Sequence, residues 1–333
     1  MKRKYYLIGF AVFIGLLIGY HFLAASQAEE QIDKAIQEQS EKNDGISVQY
    51  SSIDVSPFAA TVTIRDLTVI LGDHIERAQR LQLNMSYLDF INIYFGGLDY
   101  GLEHLDKADL ALLGPSYVNQ SGLQEIKSDS LHITYRGKAL DGLRSAVNGT
   151  TFDNAHSIEA RSSKLTISLP QTPLTKLVAQ QFRYSGSLDA QEKSFWRNGT
   201  HQFGMDSLVW TPSDGFQQSY SFFIKGFGYP TDAIPFQSAQ LHFNPSSQNS
   251  MIRVESTLKS DLALVSGSGF IKPAIPFGSS QLHKSRISLT QLSESLTNVL
   301  DNAERLFSVK LPRSNNGISI QVEGTLSNPA IAQ

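Results

Sequence analysis

The sequence predicts a mainly β protein, built as an N-terminal transmembrane helix followed by an antiparallel β-sheet with a few short helices. Three observations carry that prediction. Residues 5–25, YYLIGFAVFIGLLIGYHFLAA, contain no Asp, Glu, Lys or Arg. From Ile46 to Val322, apolar residues recur at every second position in run after run, as in strands with one buried face. Helical spacing is confined to a few short stretches.

As a helix, residues 5–25 span roughly 31 Å at about 1.5 Å per residue, the thickness of a bilayer core. Lys2, Arg3 and Lys4 precede them, and Glu29, Glu30 and Asp33 follow. The positive end stays inside, which makes residues 1–4 a cytoplasmic tail and sends the rest across the membrane. A cleavable signal peptide competes with the anchor, because Ser26-Gln27-Ala28 offers a small-x-small site. Its apolar region would be about 7–15 residues, shorter than this one. A buried soluble helix fits worst, since the segment is apolar on every face. Residues 26–44 read as a helical stalk, with Ala28, Ile32, Ala35 and Ile36 at helical spacing and a stop at Asn43-Asp44-Gly45. Residues 45–333 form the extracytoplasmic β-rich domain.

Composition narrows the function. Without the three N-terminal cations, 25 Lys and Arg face 31 Asp and Glu, a net of −6. No basic stripe is available to neutralise phosphates, so nucleic acid is disfavoured as a partner. Zero cysteines exclude disulfides, thiolate metal sites and cysteine catalysis. A large extracytoplasmic domain of the eukaryotic secretory pathway usually carries disulfides, whereas a bacterial envelope protein need not. The sequons at Asn84, Asn119, Asn148 and Asn198 read as chance matches in an Asn- and Ser-rich chain.

Strands begin at Gly45. Ile46 and Val48 alternate with Ser47 and Gln49, and Val62 and Ile64 lie between Thr61, Thr63 and Arg65. The phase slips at Arg65-Asp66, which predicts a β-bulge. Ser56-Pro57-Phe58 is a turn with a buried aromatic, and residues 77–86 make a third strand of an antiparallel meander. Residues 87–113 read as a short amphipathic helix and then a strand. That helix caps one end of the sheet, or alternatively sets Tyr87, Phe90, Tyr94 and Phe95 at a membrane interface; its acidic residues argue against anionic lipid. Five runs then put Ser a few places before Leu: 126–135 (Leu131, Ile133), 160–169 (Leu165, Ile167), 204–211, 236–243 and 278–289. Their offsets are too irregular for a solenoid and suit one repeated unit with variable loops. Further strands are expected at Tyr220-Phe222-Ile224, Ile252-Val254, Leu262-Leu264 and Ile318-Ile320-Val322. Helices are expected at 138–147, at 173–182 with Thr172 as N-cap, and at 290–307. The last carries an apolar stripe from Leu292 to Phe307, read as packing into the core.

Catalytic signatures are scarce. His21, His74, His104, His132, His156, His201, His242 and His283 never fall within four residues of one another, and there is no HExxH, GxSxG, GxxxxGK[ST] or GxGxxG. Ser256-x-x-Lys259 lies in a strand pattern, not at a helix start, and reads as chance. The chain is therefore expected to be non-enzymatic and to need no cofactor.

Three stretches resemble the AsmA-like proteins of Gram-negative envelopes. They are GISVQYSSIDVSPFAATVTIRDLTV (45–69), ERAQRLQL (76–83) and ISIQVEGTLSNPA (318–330), about a fifth of the chain. The resemblance implies a single-pass inner-membrane protein with its bulk in the periplasm. It also implies an elongated, curved antiparallel sheet, a groove or taco, that carries lipid acyl chains. The layout is similar, too, to the anchored accessory subunit N of type II secretion. Two functions follow. In one, Ile46, Val48, Val62, Ile64, Leu131, Ile133, Leu165 and Ile167 line an apolar groove for phospholipid acyl chains and serve envelope homeostasis. In the other, the same residues form a closed β core in a structural or scaffold subunit with an envelope protein partner.

Overall fold

The computed structural model describes residues 29, 30, 33, 34, 37, 46–120, 123–148, 151–172, 175–245, 251–274, 277–308, 310–314 and 317–332. The stretch 5–25, expected to span a membrane, lies outside them. Among the described residues no helix is long and apolar enough to cross a membrane.

The strands form one sheet in which every pairing is antiparallel. Its first part runs β1 (Ile46–Gln49), β2 (Ser52–Ser56), β3 (Thr61–Leu71), β4 (His74–Asn84), β5 (Lys107–Leu113), β6 (Ser116–Asn119), β7 (Gln124–Ser128), β8 (Ser130–Arg136), β9 (His156–Ser162) and β10 (Leu165–Leu169). It continues through β11 (Thr175–Leu188), β12 (Thr200–Thr211), β13 (Ile234–Pro245), β14 (Ile252–Lys259), β15 (Leu264–Lys272) and β16 (Gln281–Thr290). It ends with β17 (Arg313–Ser314), β18 (Gly317–Gly324) and β19 (Pro329–Ile331). Several short strands are halves of one broken strand. β1 and β2 both pair with β3, β5 and β6 with β4, and β9 and β10 with β11. The result is an up-and-down meander from β1/β2 to β18/β19. Its two ends do not pair with each other among the described residues, so the sheet is open.

Helices sit in the connections. α1 (Tyr87–His104), α2 (Ala139–Asn148) and the single turn α3 (Phe195–Asn198) lie at one edge; α4 (Asp214–Gly226) and α5 (Glu294–Phe307) lie at the other. Ser86 and Ser293 cap α1 and α5, each accepting a backbone N–H three residues on. Residues 29, 30, 33, 34 and 37 are helical and border the first strands. The Glu29 carboxylate accepts the Val55 N–H at 3.0 Å, and Tyr50 donates to Asp33. Val55 belongs to an edge strand, whose outer donors would otherwise be open to another chain.

Two expected elements change type. The helix expected at 173–182 is strand β11, and the strand expected around Tyr220-Phe222-Ile224 is helix α4. In β11, Ala179 and Phe182 are both apolar and three apart, with Gln180 and Gln181 exposed between them; that interval mimics a helical period. In α4 the helical spacing of Phe216, Tyr220 and Ile224 outranks the local alternation, and the Phe216 ring packs at a tilt against Trp210, 4.9 Å between centroids. Residues 260–263 form a turn, so the strand expected at Leu262-Leu264 begins only at Leu264. Helix 290–307 starts at Glu294, and its stripe is not core: Leu296, Val299, Leu300 and Ala303 are half-buried and Leu306 is 79% exposed.

No residue is inserted at Arg65-Asp66, so the expected bulge is corrected. Arg65 pairs with Arg80 and Leu67 with Ala78, which is one unbroken register. The phase slips because Asp66 takes φ 51°, in the left-handed region. Its neighbours across the sheet repeat the irregularity. Following the register gives Ser51, Asp66, Gln79, Gly114, Asp129, Lys164, Gln180, Ser207, Gln237 and Ser260, a polar line crossing the sheet from the first strand to the turn after β14. Gly114 (φ 58°) and Ser207 (φ 52°) are left-handed like Asp66.

Candidate functional site: an apolar face across the sheet

Directly opposed residues of an antiparallel sheet share a face. Starting at Ile53, the ladder passes through Ile64, Leu81, Leu112, Leu131, Ser162, Phe182, Met205, Ala239, Leu258, Val265, Leu289 and Ile318. Only Ser162 is polar. At about 4.8 Å per strand the row is roughly 58 Å long. The next row on the same face holds Val55, Val62, Leu83, Leu110, Ile133, Ala160, Tyr184, Phe203 and Leu241, then Ser256, Gly267, Ile287 and Ile320. The row between them, on the opposite face, reads Asp54, Thr63, Gln82, Ala111, His132, Arg161, Arg183, Gly204, Gln240, Thr257, Ser266, Ser288 and Ser319. Nothing on it is more apolar than alanine. The sheet is amphipathic along its whole length.

The sequence-predicted residues divide between two halves of this sheet. Ile64 and Leu131 lie in the first row, and Val62 and Ile133 in the second. Leu165 and Ile167 fall beyond the polar line, where Leu165 heads the ladder Leu165, Ala179, Leu208, Phe236. Ile167 lies between Ile126 and Leu177. Ile46 and Val48 are also beyond the line, opposite Leu71 and Val69.

The first rows of the two halves are three residues apart on each long strand. Ile64 and Leu67 lie on β3, Leu81 and Ala78 on β4, Phe182 and Ala179 on β11, Met205 and Leu208 on β12, and Ala239 and Phe236 on β13. In a regular strand an odd interval puts two residues on opposite faces. Here burial follows the apolar residue on both sides of the polar line, which carries a left-handed residue on β3 (Asp66) and β12 (Ser207). Ala179 is 1% and Leu208 3% exposed, while Tyr184 and Ala160 are 9% and 8% exposed.

Packing over this face is thin. Of the first row only Ser162 and Ile318 are buried, and the other members are half-buried. Covered best is a stretch under α3. There Trp196, His201, Phe203, Phe243, Ile252 and Ile271 line a cavity of about 210 Å³. Trp196 stacks on His201 at 5.0 Å and is itself 66% exposed. His201 is held neutral: Tyr184 OH donates to Nδ1 at 3.0 Å and Nε2 donates to the Phe195 carbonyl at 2.9 Å. Burial lowers its pKa against the raising effect of the backbone contacts. A second cleft, about 590 Å³, opens at the other edge between α4 and α5, lined by Phe222, Gly226, Val299, Asn302, Ala303, Arg305 and Leu306.

The strongest acid–base constellation is one the histidine spacing did not reveal. His156 donates from Nε2 to Asp141 at 3.1 Å, and Tyr135 OH donates to Nδ1 at 2.5 Å. The arrangement latches the α2 loop to β8 and β9. Burial and the Asp141 charge push Tyr135 up to about 12. Asp141 lies at about 2: burial would raise it, but hydrogen bonds from the Asn154 side chain, the Asp153 backbone, His156 and the Asn154 backbone outweigh burial. Its folded pKa is below the ordinary 3.8, so these bonds stabilise the protein above about pH 4 and are lost as pH falls towards 2. The contribution is about 2 kcal/mol. Asp141→Asn should lose that much in urea unfolding at pH 7, with a flatter acid limb between pH 4 and 2. Equal acid limbs in both proteins would show that another group titrates.

Ser256 and Lys259 are also resolved. Three apart in a regular strand, they lie on opposite faces of β14, with Ser256 against Leu241 and Gly267, and Lys259 against Leu264. They cannot act as a dyad. Among the described residues no group of His, Asp and Glu is placed to hold a metal ion.

The site residues expected from sequence all lie on strands before β11, on both sides of the polar line. Phe182 ends the stretch 173–182 that reads as helix and Tyr184 follows just beyond it; across the sheet they join Leu131 and Ile133 to the strands from β12 onward. Comparison with known proteins adds no assignment, since no family model, no curated protein and no solved structure matches this chain.

Proposed function

We propose that this chain is a non-enzymatic, membrane-anchored envelope protein whose sheet folds along the polar line into a curved trough that shields lipid acyl chains. What carries the reading is the half-buried apolar row from Ile53 to Leu289. A core of such residues would be closed, whereas a contiguous partly exposed apolar face on a stable protein marks a binding surface. Each acyl methylene removed from water contributes about 0.8 kcal/mol, so a chain of ten or more supplies useful affinity without any polar contact. Residues 5–25 tether the trough to the inner membrane, with the β domain in the periplasm of a Gram-negative cell. Phospholipid is then the nearest apolar ligand.

Native mass spectrometry of the detergent-extracted full chain tests this. Co-purified mass of phospholipid size is expected, and it should survive exchange into a second detergent. Lipid-free protein from several detergents would count against the trough.

A scaffold reading has one observation in its favour, the cleft between α4 and α5. Leu306 and Phe222 are 79% and 82% exposed there, a surface suited to an envelope protein partner.

A further inference from the structure

We infer that α1 lies in the interface of the membrane that holds the anchor, with Leu88 and Phe95 immersed among uncharged or zwitterionic lipid headgroups. The inference rests on the anchored reading above. Phe90 and Gly101 are buried and share one face of α1 by helical spacing; Leu88 and Phe95, seven residues apart, share the opposite face and are each 71% exposed. Tyr87 at 50% and Tyr100 at 47% flank them, and Phe58 of the adjoining turn, expected to be buried, is 57% exposed. Such a concentration of exposed aromatic and aliphatic side chains is the composition of the interfacial zone.

Its position points the same way. Phe90 packs with Val55, Ala60 and Val62. The backbone N–H of that same Val55 is bonded by Glu29, four residues after the apolar segment 5–25 ends. Whatever their conformation, four residues span at most about 14 Å. Glu29 therefore meets the fold beside α1, and not beside α4 or α5 at the opposite edge.

Charge selects the lipid. The α1 sequence, YLDFINIYFGGLDYGLEH, contains two Asp and one Glu but no Lys or Arg, so anionic headgroups would repel it. Apolar contact and the tether hold it instead, the tether keeping its local concentration high.

The cysteine-free chain allows a direct test. Single Leu88→Cys, Phe95→Cys, Ile14→Cys and Leu306→Cys variants of the full protein are spin-labelled and placed in phosphatidylcholine nanodiscs. Collisions with lipid-soluble oxygen and with a water-soluble nickel chelate are then compared. At 88 and 95 the oxygen-to-nickel ratio should exceed that at 306 by about threefold or more, as for an interfacial helix. Replacing 30% of the lipid by phosphatidylglycerol should not raise it. Labels at 88 and 95 open to nickel, with Ile14 embedded, would overturn the inference and leave the anchor standing. Labels shielded from both quenchers would overturn it in favour of a protein cover. If Ile14 is open to nickel as well, the anchored reading itself fails.

Discussion

Ile133→Glu and Ile167→Glu should each reduce co-purified lipid at least tenfold while lowering the melting temperature by only a few degrees. Both residues are half-buried on the apolar face, one on each side of the polar line. In an open trough the carboxylate keeps water on one side, and its pKa rises to meet the rest of the cost. Destabilisation then stays near 1–2 kcal/mol, a few degrees for a domain of this size. Leu208→Glu is the contrast. Leu208 is 3% exposed, so a carboxylate there has neither water nor partner, and the cost is several kcal/mol. The expected pattern is two folded, lipid-poor proteins and one that fails to fold, read by thermal melting beside lipid occupancy. Should all three collapse, with no lipid in the parent protein, the face is a closed core and the scaffold reading takes over.

Gly317→Ala should cost about 2–4 kcal/mol, through backbone strain and steric clash together. Gly317 has φ 142°, and a methyl group there would stand 1.9 Å from the Leu289 carbonyl oxygen, a backbone atom that cannot swing aside. The residue opens β18, opposite Thr290 of β16. Strain at that point loosens the last long strand and, with it, Ile318 and Ile320 of the apolar rows. Gly215→Ala is the matched control. Nothing lies within 4 Å of its added carbon and no positive φ is required, so in the first turn of α4 it should be neutral or stabilising by up to about 1 kcal/mol. Urea denaturation of both variants measures the difference. Equal effects would mean that β18 shifts to accommodate the methyl group.

Much of this protein follows from the sequence alone, because alternation is a local property. Apolar residues at every second position force one face per strand, and short turns such as Gly72-Asp73 force antiparallel neighbours. The mainly β class and the use of Ile64, Leu131 and Ile133 on one face are consequences. A cap and a long enough apolar spacing likewise fix α1 and α5. What the sequence could not settle is everything that depends on register between strands. The Ala179 to Phe182 interval reads as a helical step within one chain segment. Only when β11 is laid between β10 and β12 does it become the local trace of a polar line shared by ten positions. The apolar stripe of α5 is equally plain in sequence, and whether it is covered depends on where the β16–β18 connection places it, at the sheet edge beside α4. The Asp141–His156–Tyr135 latch needs residues from a helix and two strands. Periodicity determines which face is apolar; the register of the strands across the sheet decides which of those residues line up in one row, from Ile53 to Ile318, and that most of them are half-buried.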